Sequence, residues 1–265
     1  FSSKKFSTEP GDGTVANTFW MFVGREPRFY ASVHFPNQRL SYAYENKTDS
    51  YQDSDGYGVV DFWYSGLSGN GNTPGDKNTS GFSVRKNIPL DYRSNKQTGE
   101  ATRMLNVPFP IIRLGEVYLN YAEAMNEYYG ETEQDEVLYY LNEIRTRAGL
   151  PAYEGTYSQE DMREMIRHER KIELAWECNR YFDVRRWAEA FAGSQLYQQY
   201  FKIPCERLTV MWITKNPDDT YTYERRTALL RNASTQPRDV LLPIPETEAN
   251  NLYSLTNKRW QNSGW

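Results

Sequence analysis

The sequence contains few of the residues that metal sites and disulfide frameworks need. Its 265 residues include two cysteines, Cys178 and Cys205, and two histidines, His34 and His168. Two cysteines are too few for a disulfide framework or a cysteine-based zinc site. Neither histidine has a cysteine or a second histidine at metal spacing. We therefore predict no metal site, and we expect both cysteines to be ordinary residues.

Membrane spans, nucleic-acid surfaces and cofactor motifs are also missing. No apolar run approaches the roughly 18 residues that cross a bilayer. The 31 basic and 35 acidic side chains give a formal charge of −4, and without a basic excess we do not expect nucleic-acid binding. The chain has no Gly-Lys-Ser/Thr phosphate loop, no Gly-x-Gly-x-x-Gly motif between a strand and a helix, and no Gly-x-Ser-x-Gly elbow. The sequence therefore predicts no cofactor.

Residue composition and pattern divide the chain into three segments, which we expect to form one domain. Residues 1–110 are rich in Gly, Asn, Asp, Ser and Tyr and predict a loop-rich region with short strands. Within them, alternating apolar side chains predict a half-buried strand over 28–35, and turn-forming residues predict a long exposed loop over 66–81. Residues 111–192 predict a helical core, and residues 193–265 predict an irregular excursion and C-terminal tail.

Three helices are predicted in the middle segment. The first covers about 112–129 and ends at Gly130, and the second, near 137–148, folds back on it because the connection is short. The third begins with Ser158 as its N-cap and continues until about Asn179 breaks it. Steps of four and three place five residues on one face of the first helix: Leu114, Tyr118, Tyr121, Met125 and Tyr128.

The third predicted helix carries the densest cluster of charge in the chain. Glu169, Glu173 and Glu177 recur every four residues and share one face of the helix. Two of these carboxylates could serve as the general acid and base of a glycosidase. However, neighbouring arginines lower carboxyl pKa values, whereas a general acid needs a raised one. We therefore predict no catalytic residue and assign seven residues to structural ion pairs: Glu169, Arg170, Glu173, Glu177, Arg180, Asp183 and Arg186.

Aromatic and acidic side chains near the long loop suggest a recognition surface. Aromatic rings can stack on the C–H face of a sugar while carboxylates accept its hydroxyl hydrogens, although most single aromatics belong to a core. A calcium loop around Asp53 fails at two ligand positions, occupied by Tyr51 and Phe62, and a turn is predicted there instead. The candidate ligand-binding residues are Tyr51, Asp53, Asp55, Tyr57, Trp63 and Tyr64.

Six sequence blocks spread along the chain form a recognisable series. They are GREPRFYASV (24–33), GFSVRKN (81–87), RLGEVYLNYAEAMNE (113–127), LNEIRTRAGLP (141–151), IRHERKIELAWECNRYFDVRRW (166–187) and LLPIPETEANN (241–251). Together they resemble the SusD/RagB family of outer-membrane nutrient-binding lipoproteins. The chain departs from the family pattern at Cys178, which follows Glu177 where the family usually has glycine.

The resemblance implies a mainly α fold, with a tetratricopeptide-like helical scaffold, long irregular loops and a few short strands. It also implies a non-catalytic protein that binds oligosaccharides at the cell surface and delivers them to a SusC-like TonB-dependent outer-membrane transporter. The chain would be the C-terminal half of such a protein, with the lipid-bearing N-terminal cysteine outside it.

Three alternatives remain beside glycan binding. Some members of the family bind peptides or proteins, and the helical core could be an interaction module that docks the transporter. A glycosidase that uses Glu169 and Glu173 is the third alternative.

Overall fold

The computed structural model describes residues 5–6, 18–19, 22, 24–43, 57–66, 69, 78, 80–87, 110–189, 207–218, 220–230 and 236–262. Six α-helices lie in this part of the chain: α1 (Pro27–Ser32), α2 (Leu114–Tyr129), α3 (Gln134–Arg147), α4 (Gln159–Glu173), α5 (Asn179–Glu189) and α6 (Glu246–Thr256). None of the helices described here is long and apolar enough to cross a membrane. The predicted mainly α fold is confirmed.

The described strands form four two-stranded sheets, in which β1 pairs with β2, β3 with β6, β4 with β5 and β7 with β8. The first three pairs are antiparallel. The strands are β1 (Lys5–Phe6), β2 (Thr18–Phe19), β3 (Val33–His34), β4 (Arg39–Ala43), β5 (Tyr57–Val59), β6 (Ser83–Val84), β7 (Arg207–Lys215) and β8 (Tyr221–Leu230).

Residue contacts divide the chain into two compact units. The first unit is Phe1–Trp176 with Val210–Arg226, and the second is Glu177–Thr209 with Thr227–Trp265. The first unit has a helical core between α2, α3 and α4, and an aromatic core around Phe22. The second unit has a small core of Val184, Ala188 and Val240, which lies between α5 and the short 3-10 turn Pro237–Val240.

The helical core contains mostly aliphatic side chains. A short 3-10 turn, Gly130–Glu133, connects α2 to α3, and Gly130 adopts a φ of 61°, which favours glycine. The N-cap of α4 is Ser158, whose hydroxyl accepts a hydrogen bond from the Asp161 amide, as predicted. The fully buried members of this core include Leu119, Ala122, Val137, Leu141, Met162 and Ile166.

The predicted apolar face of α2 matches its buried face only in part, because Tyr118 and Met125 pack against the helical core but the other three residues do not. Leu114 and Tyr128 are 62% and 81% exposed, whereas Leu119, Ala122, Glu123 and Asn126 are buried. Two of these buried residues are polar and bind α4: Asn126 exchanges hydrogen bonds with Gln159, and Glu123 pairs with Arg170. The apolar pattern therefore placed the centre of the buried face incorrectly, because α2 also buries polar side chains that bind α4.

Two further predictions about secondary structure were wrong, the first of them in part. Residues 28–32 of the predicted strand lie in α1, which starts with Pro27 at the first helical position, where a fixed φ suits a helix, whereas Val33–His34 of the same prediction do form a strand, β3. The segment predicted to be irregular contains β7 and β8, and in β8 the buried Tyr221 and Tyr223 alternate with the exposed Thr222 and Glu224. This alternation is typical of a half-buried strand.

The charged helix is shorter than predicted. It ends at Glu173, and the chain turns through residues 174–178, with Trp176 and Cys178 at φ values of 62° and 65°, before α5 begins. These left-handed conformations break the helical path. Glu177 therefore does not share a helix face with Glu169 and Glu173.

Candidate functional site

An exposed aromatic surface lies in the first unit, where Tyr64 meets Trp212. The two ring centroids are 4.7 Å apart and the ring planes are inclined by 32°. The guanidinium carbon of Arg226 lies 4.5 Å from the centroid of Trp212. Tyr64 is 45% exposed, so part of this surface is open to solvent. We call these three residues the aromatic surface.

Backbone hydrogen bonds position the aromatic surface. The amide of Tyr64 donates to the carbonyl of Ile213 over 2.7 Å, which attaches the turn at residues 63–66 to β7. In β7, Ile213 points into the aromatic core, and successive strand residues point to opposite faces. Trp212 therefore lies on the outer face, beside Tyr64. On β8, Tyr223 is buried, and the exposed Glu224 and Arg226 lie on the opposite, outer face of the strand.

Charged side chains on the outer face of β8 supply hydrogen-bonding groups. Arg226 donates a hydrogen bond of 2.5 Å to Glu224, and both side chains are about half exposed, at 45% and 56%. This hydrogen bond lowers the pKa of the Glu224 carboxyl and raises the pKa of Arg226. Both groups stay ionised near neutral pH, so the pair can donate to a ligand through Arg226 and accept through Glu224.

Trp63, a predicted stacking residue, lies deeper than Tyr64. It is half-buried against the aromatic core, and its ring meets the ring of Tyr221 edge to face, with centroids 5.6 Å apart. The ammonium of Lys215 lies 5.7 Å from the centroid of Trp63. Trp63 therefore contributes to packing, and only its remaining exposed part is available to a ligand.

Part of the predicted site lies outside the described residues. The structure gives no account of Tyr51, Asp53 or Asp55, and Tyr57 is described only as the first residue of β5. Sequence reasoning missed Trp212, Glu224 and Arg226 as site residues. The signal that would have found them is the alternation in β7 and β8 around the turn-forming Asn216-Pro217-Asp218, which predicts a hairpin with one outer face.

Two of the predicted ion-pair residues of α4, Glu169 and Glu173, lie in a second cluster of the first unit, where they meet four arginines. Glu169 is fully buried and accepts from Arg28 at 2.5 Å and from Arg145 at 3.4 Å. Glu173 is 4% exposed and accepts from three guanidiniums. Its partners are Arg28 at 3.0 Å, Arg113 at 2.7 Å and Arg147 at 2.5 Å. We call these six side chains the buried ion cluster.

The buried ion cluster joins the ends of several helices. Arg28 comes from α1, Arg113 is the N-cap residue of α2, and Arg145 and Arg147 lie in the last turn of α3. Lys86 and Arg113 also donate to the main-chain carbonyl of Glu173, over 2.8 and 2.7 Å. Cations at this position favourably meet the unpaired carbonyls at the end of a helix.

The remaining predicted ion-pair residues have different surroundings. Arg170, on α4, donates to the Asn120 side chain of α2 over 2.6 Å. In the second unit, Arg186 donates to Asp183 over 2.8 Å, and Arg180 and Arg186 lie 5.3 and 5.4 Å from the ring of Trp187. Glu177 is half-buried in the turn before α5.

The buried ion cluster does not suit general acid catalysis. Burial alone would raise the pKa of Glu173, but hydrogen bonds from Arg113 and Arg28 hold that pKa below its usual value. A general acid requires the opposite shift and access to the ligand. Within the described ranges, no three His, Cys, Asp or Glu side chains are grouped so that they could hold a metal ion.

The lowered pKa of Glu173 leads to a prediction about acid stability. Because the folded pKa lies below the unfolded value of 4.5, ionised Glu173 stabilises the fold above that pH. This contribution is lost as the pH falls from there through the folded pKa. We expect the Glu173→Gln variant to lose less stability than the unmodified chain between about pH 5 and pH 3, as measured by urea unfolding.

A control variant on the same helix is Glu160→Gln, because the Glu160 side chain is 65% exposed. It should keep the acid dependence of the unmodified chain. An acid dependence in Glu173→Gln that equals that of Glu160→Gln would contradict the assignment.

The SusD family model matches residues 4–265, which is nearly the whole chain. The chain belongs to the SusD family. Two curated SusD-like proteins of Formosa agariphila match parts of it. P25 is 40% identical over 80 residues, which cover 29% of this chain and 15% of P25. P2 is 34% identical over 110 residues, which cover 38% of this chain and 21% of P2.

Solved structures have the same fold, and two of them align over nearly the whole of this chain. A SusD-like protein of Bacteroides fragilis, BF3747, aligns with a TM-score of 0.65 and 27% identity, over 99% of this chain and 44% of its own. A second structure, BT4246, aligns with a TM-score of 0.67 and 23% identity, over 98% of this chain and 40% of its own. The chain therefore spans less than half of the length of these two proteins.

Proposed function

We propose that this SusD-family chain binds oligosaccharides without cleaving them, and that the aromatic surface is the contact. The observation that carries the proposal is the exposed Tyr64 ring beside Trp212, with the Arg226–Glu224 pair next to it. Aromatic rings accept the C–H face of a sugar, while a guanidinium and a carboxylate donate to and accept from its hydroxyls. A flat, partly polar surface of this kind suits a chain of sugars.

The remaining predicted binding residues extend the proposal. Tyr51, Asp53, Asp55 and Tyr57 stay candidates for additional stacking and hydroxyl contacts on the basis of the sequence alone. Trp63 is a weaker candidate, because its ring already packs against Tyr221.

The proposal assigns no chemistry to the charged residues of α4 and α5. Glu169 and Glu173 are buried beneath arginines, where a ligand has no access, and this surrounding supports a structural role. We extend that role to Arg170, Glu177, Arg180, Asp183 and Arg186. A glycosidase that uses Glu169 and Glu173 would need the reverse environment, with an open cleft and a raised pKa.

Membership of the SusD family supports the cellular part of the proposal. In this part, the protein is held at the outer-membrane surface by an N-terminal lipid and delivers oligosaccharides to a SusC-like TonB-dependent transporter. Affinity purification from detergent-solubilised outer membranes tests it: a TonB-dependent transporter should co-purify, and its absence at stoichiometric yield would contradict this part alone.

We expect Tyr64→Ala and Trp212→Ala each to weaken oligosaccharide binding about ten-fold, because each removes a ring from the contact. Isothermal titration against neutral and acidic oligosaccharides would identify the ligand and measure the loss. Chromatography of the same mixtures should detect no cleavage products.

The control variant is Tyr128→Ala, since Tyr128 is 81% exposed and lies on α2, which contributes no residue to the aromatic surface. It should bind as tightly as the unmodified chain. Equal affinity in all three variants would reject the aromatic surface as the contact, and binding of peptides but not oligosaccharides would favour the peptide-binding alternative.

A further inference from the structure

A separate cleft of about 350 Å³ lies in the second unit, beside the first turns of α6. Its volume is at the lower end of the range of about 300–1,000 Å³ that is usual for small-molecule sites. The residues that matter here are Ile244 and Glu246 at the start of α6, Asn250 in its second turn, and Arg259, Trp260 and Gln261 after its end.

Hydrogen bonds close the chain around this cleft. Asn257 ends α6 in a left-handed conformation with a φ of 54°, which turns the chain back along the helix. The side-chain amide of Gln261 then accepts from the Ile244 amide over 2.7 Å and donates to the Ile244 carbonyl over 3.1 Å. Because both walls are tied together, a ligand would not need to order them, and this lowers the cost of binding.

Trp260 forms an aromatic wall of the cleft. It is 49% exposed, which is a large unburied area for an indole ring. Its ring nitrogen donates to the Thr256 hydroxyl over 3.0 Å, so the ring is held in one orientation. With its only donor occupied, the indole offers a ligand the carbon surface of the ring.

Three polar side chains at the cleft are available for a ligand. Glu246, Asn250 and Arg259 are exposed, and in the part of the chain that the structure describes they make no side-chain hydrogen bond or ion pair. Together they provide a carboxylate acceptor, an amide that both donates and accepts, and a guanidinium donor. A sugar hydroxyl can donate a hydrogen bond to an acceptor and accept one from a donor, so it can bind all three side chains.

We infer that this cleft is a second saccharide site, which takes one sugar ring of an oligosaccharide against the indole of Trp260. The C–H face of the sugar stacks on the indole, and its hydroxyls bind Asn250, Glu246 and Arg259. The site shares no residue with the aromatic surface in the first unit. It therefore stands independently of the site assigned to the proposed function.

Fluorine NMR of the full chain labelled with 5-fluorotryptophan tests this site directly. Trp260→Phe identifies the Trp260 resonance, and maltohexaose, cellohexaose, xylohexaose and laminarihexaose serve as probes. At least one hexasaccharide should shift that resonance in a saturable manner. Asn250→Ala should weaken this binding about ten-fold, as expected for one lost hydrogen bond to a sugar.

Two controls distinguish this site from its neighbours and from the aromatic surface. Asn251→Ala changes the adjacent exposed residue of α6 and should leave the affinity at Trp260 unchanged, and Trp212→Ala should do the same. The inference is overturned if no hexasaccharide shifts the Trp260 resonance at millimolar concentration, or if Asn250→Ala and Asn251→Ala bind alike. A shift caused by tetraalanine and by none of the sugars would overturn it in favour of a peptide site.

Discussion

Replacing Arg28 with methionine should lower the free energy of unfolding by about 3–5 kcal/mol. The guanidinium of Arg28 contacts both buried carboxylates, Glu169 at 2.5 Å and Glu173 at 3.0 Å. Methionine keeps much of the length of the side chain but removes its charge. Among the described residues, the fully buried Glu169 would then keep only the ion pair with Arg145, at 3.4 Å. Urea unfolding followed by helical circular dichroism measures the loss.

A matched control and a double variant test the cause. Arg163→Met makes the same change in an arginine that pairs with Glu127 and Glu160, whose side chains are 43% and 65% exposed. Those carboxylates stay hydrated, so the cost should be at most about 1 kcal/mol. The double variant Arg28→Met/Glu169→Gln should be more stable than Arg28→Met, because it carries no uncompensated charge at position 169. No recovery in the double variant would contradict this explanation.

Truncation of Phe35 to alanine should destabilise the first unit by about 3–5 kcal/mol. Phe35 is fully buried, and its ring centroid lies 4.7 Å from that of Phe22 and 5.4 Å from that of Phe29. Alanine would leave a cavity among rings that cannot collapse without moving α1. Chemical denaturation, with near-ultraviolet circular dichroism as the probe of aromatic packing, measures the effect.

Phe182→Ala provides the comparison, because Phe182 is 65% exposed on α5. Its cost should be within about 0.5 kcal/mol, as is usual for surface positions. Phe35→Leu should fall between the two, since leucine fills part of the cavity. If Phe35→Ala lowers the free energy of unfolding no more than Phe182→Ala does, the aromatic core does not stabilise the first unit as proposed.

The helices α2, α3 and α4 could be predicted from the sequence because their signals are local. Gly130 and Ser158 mark the predicted end of α2 and start of α4 through preferences of single residues. The buried side of α2 could not be predicted in this way, because Glu123 and Asn126 are buried by contacts with α4. Apolar periodicity has no means of detecting a polar interface.

The candidate site depends on contacts between distant residues, which explains why only part of it was predicted. Tyr64 was identified from the composition around it, but its neighbour Trp212 comes from a strand almost 150 residues later in the chain. Arg28 was read as part of a strand, although it contacts Glu169 and Glu173 on α4. These contacts join residues that are far apart in the sequence, and only the three-dimensional structure shows that they meet.

The position of Arg28 has a consequence for the order of folding. It is separated from Glu169 by 141 residues, whereas α2, α3 and α4 are consecutive along the chain. Closing a long loop costs more entropy, and non-local contacts slow folding. The three helices can therefore associate while the carboxylates of Glu169 and Glu173 are still hydrated. The docking of α1 then removes this water in a late step of folding. On this route, the contacts of Arg28 form after the transition state for folding. They therefore lower the unfolding rate more than they raise the folding rate.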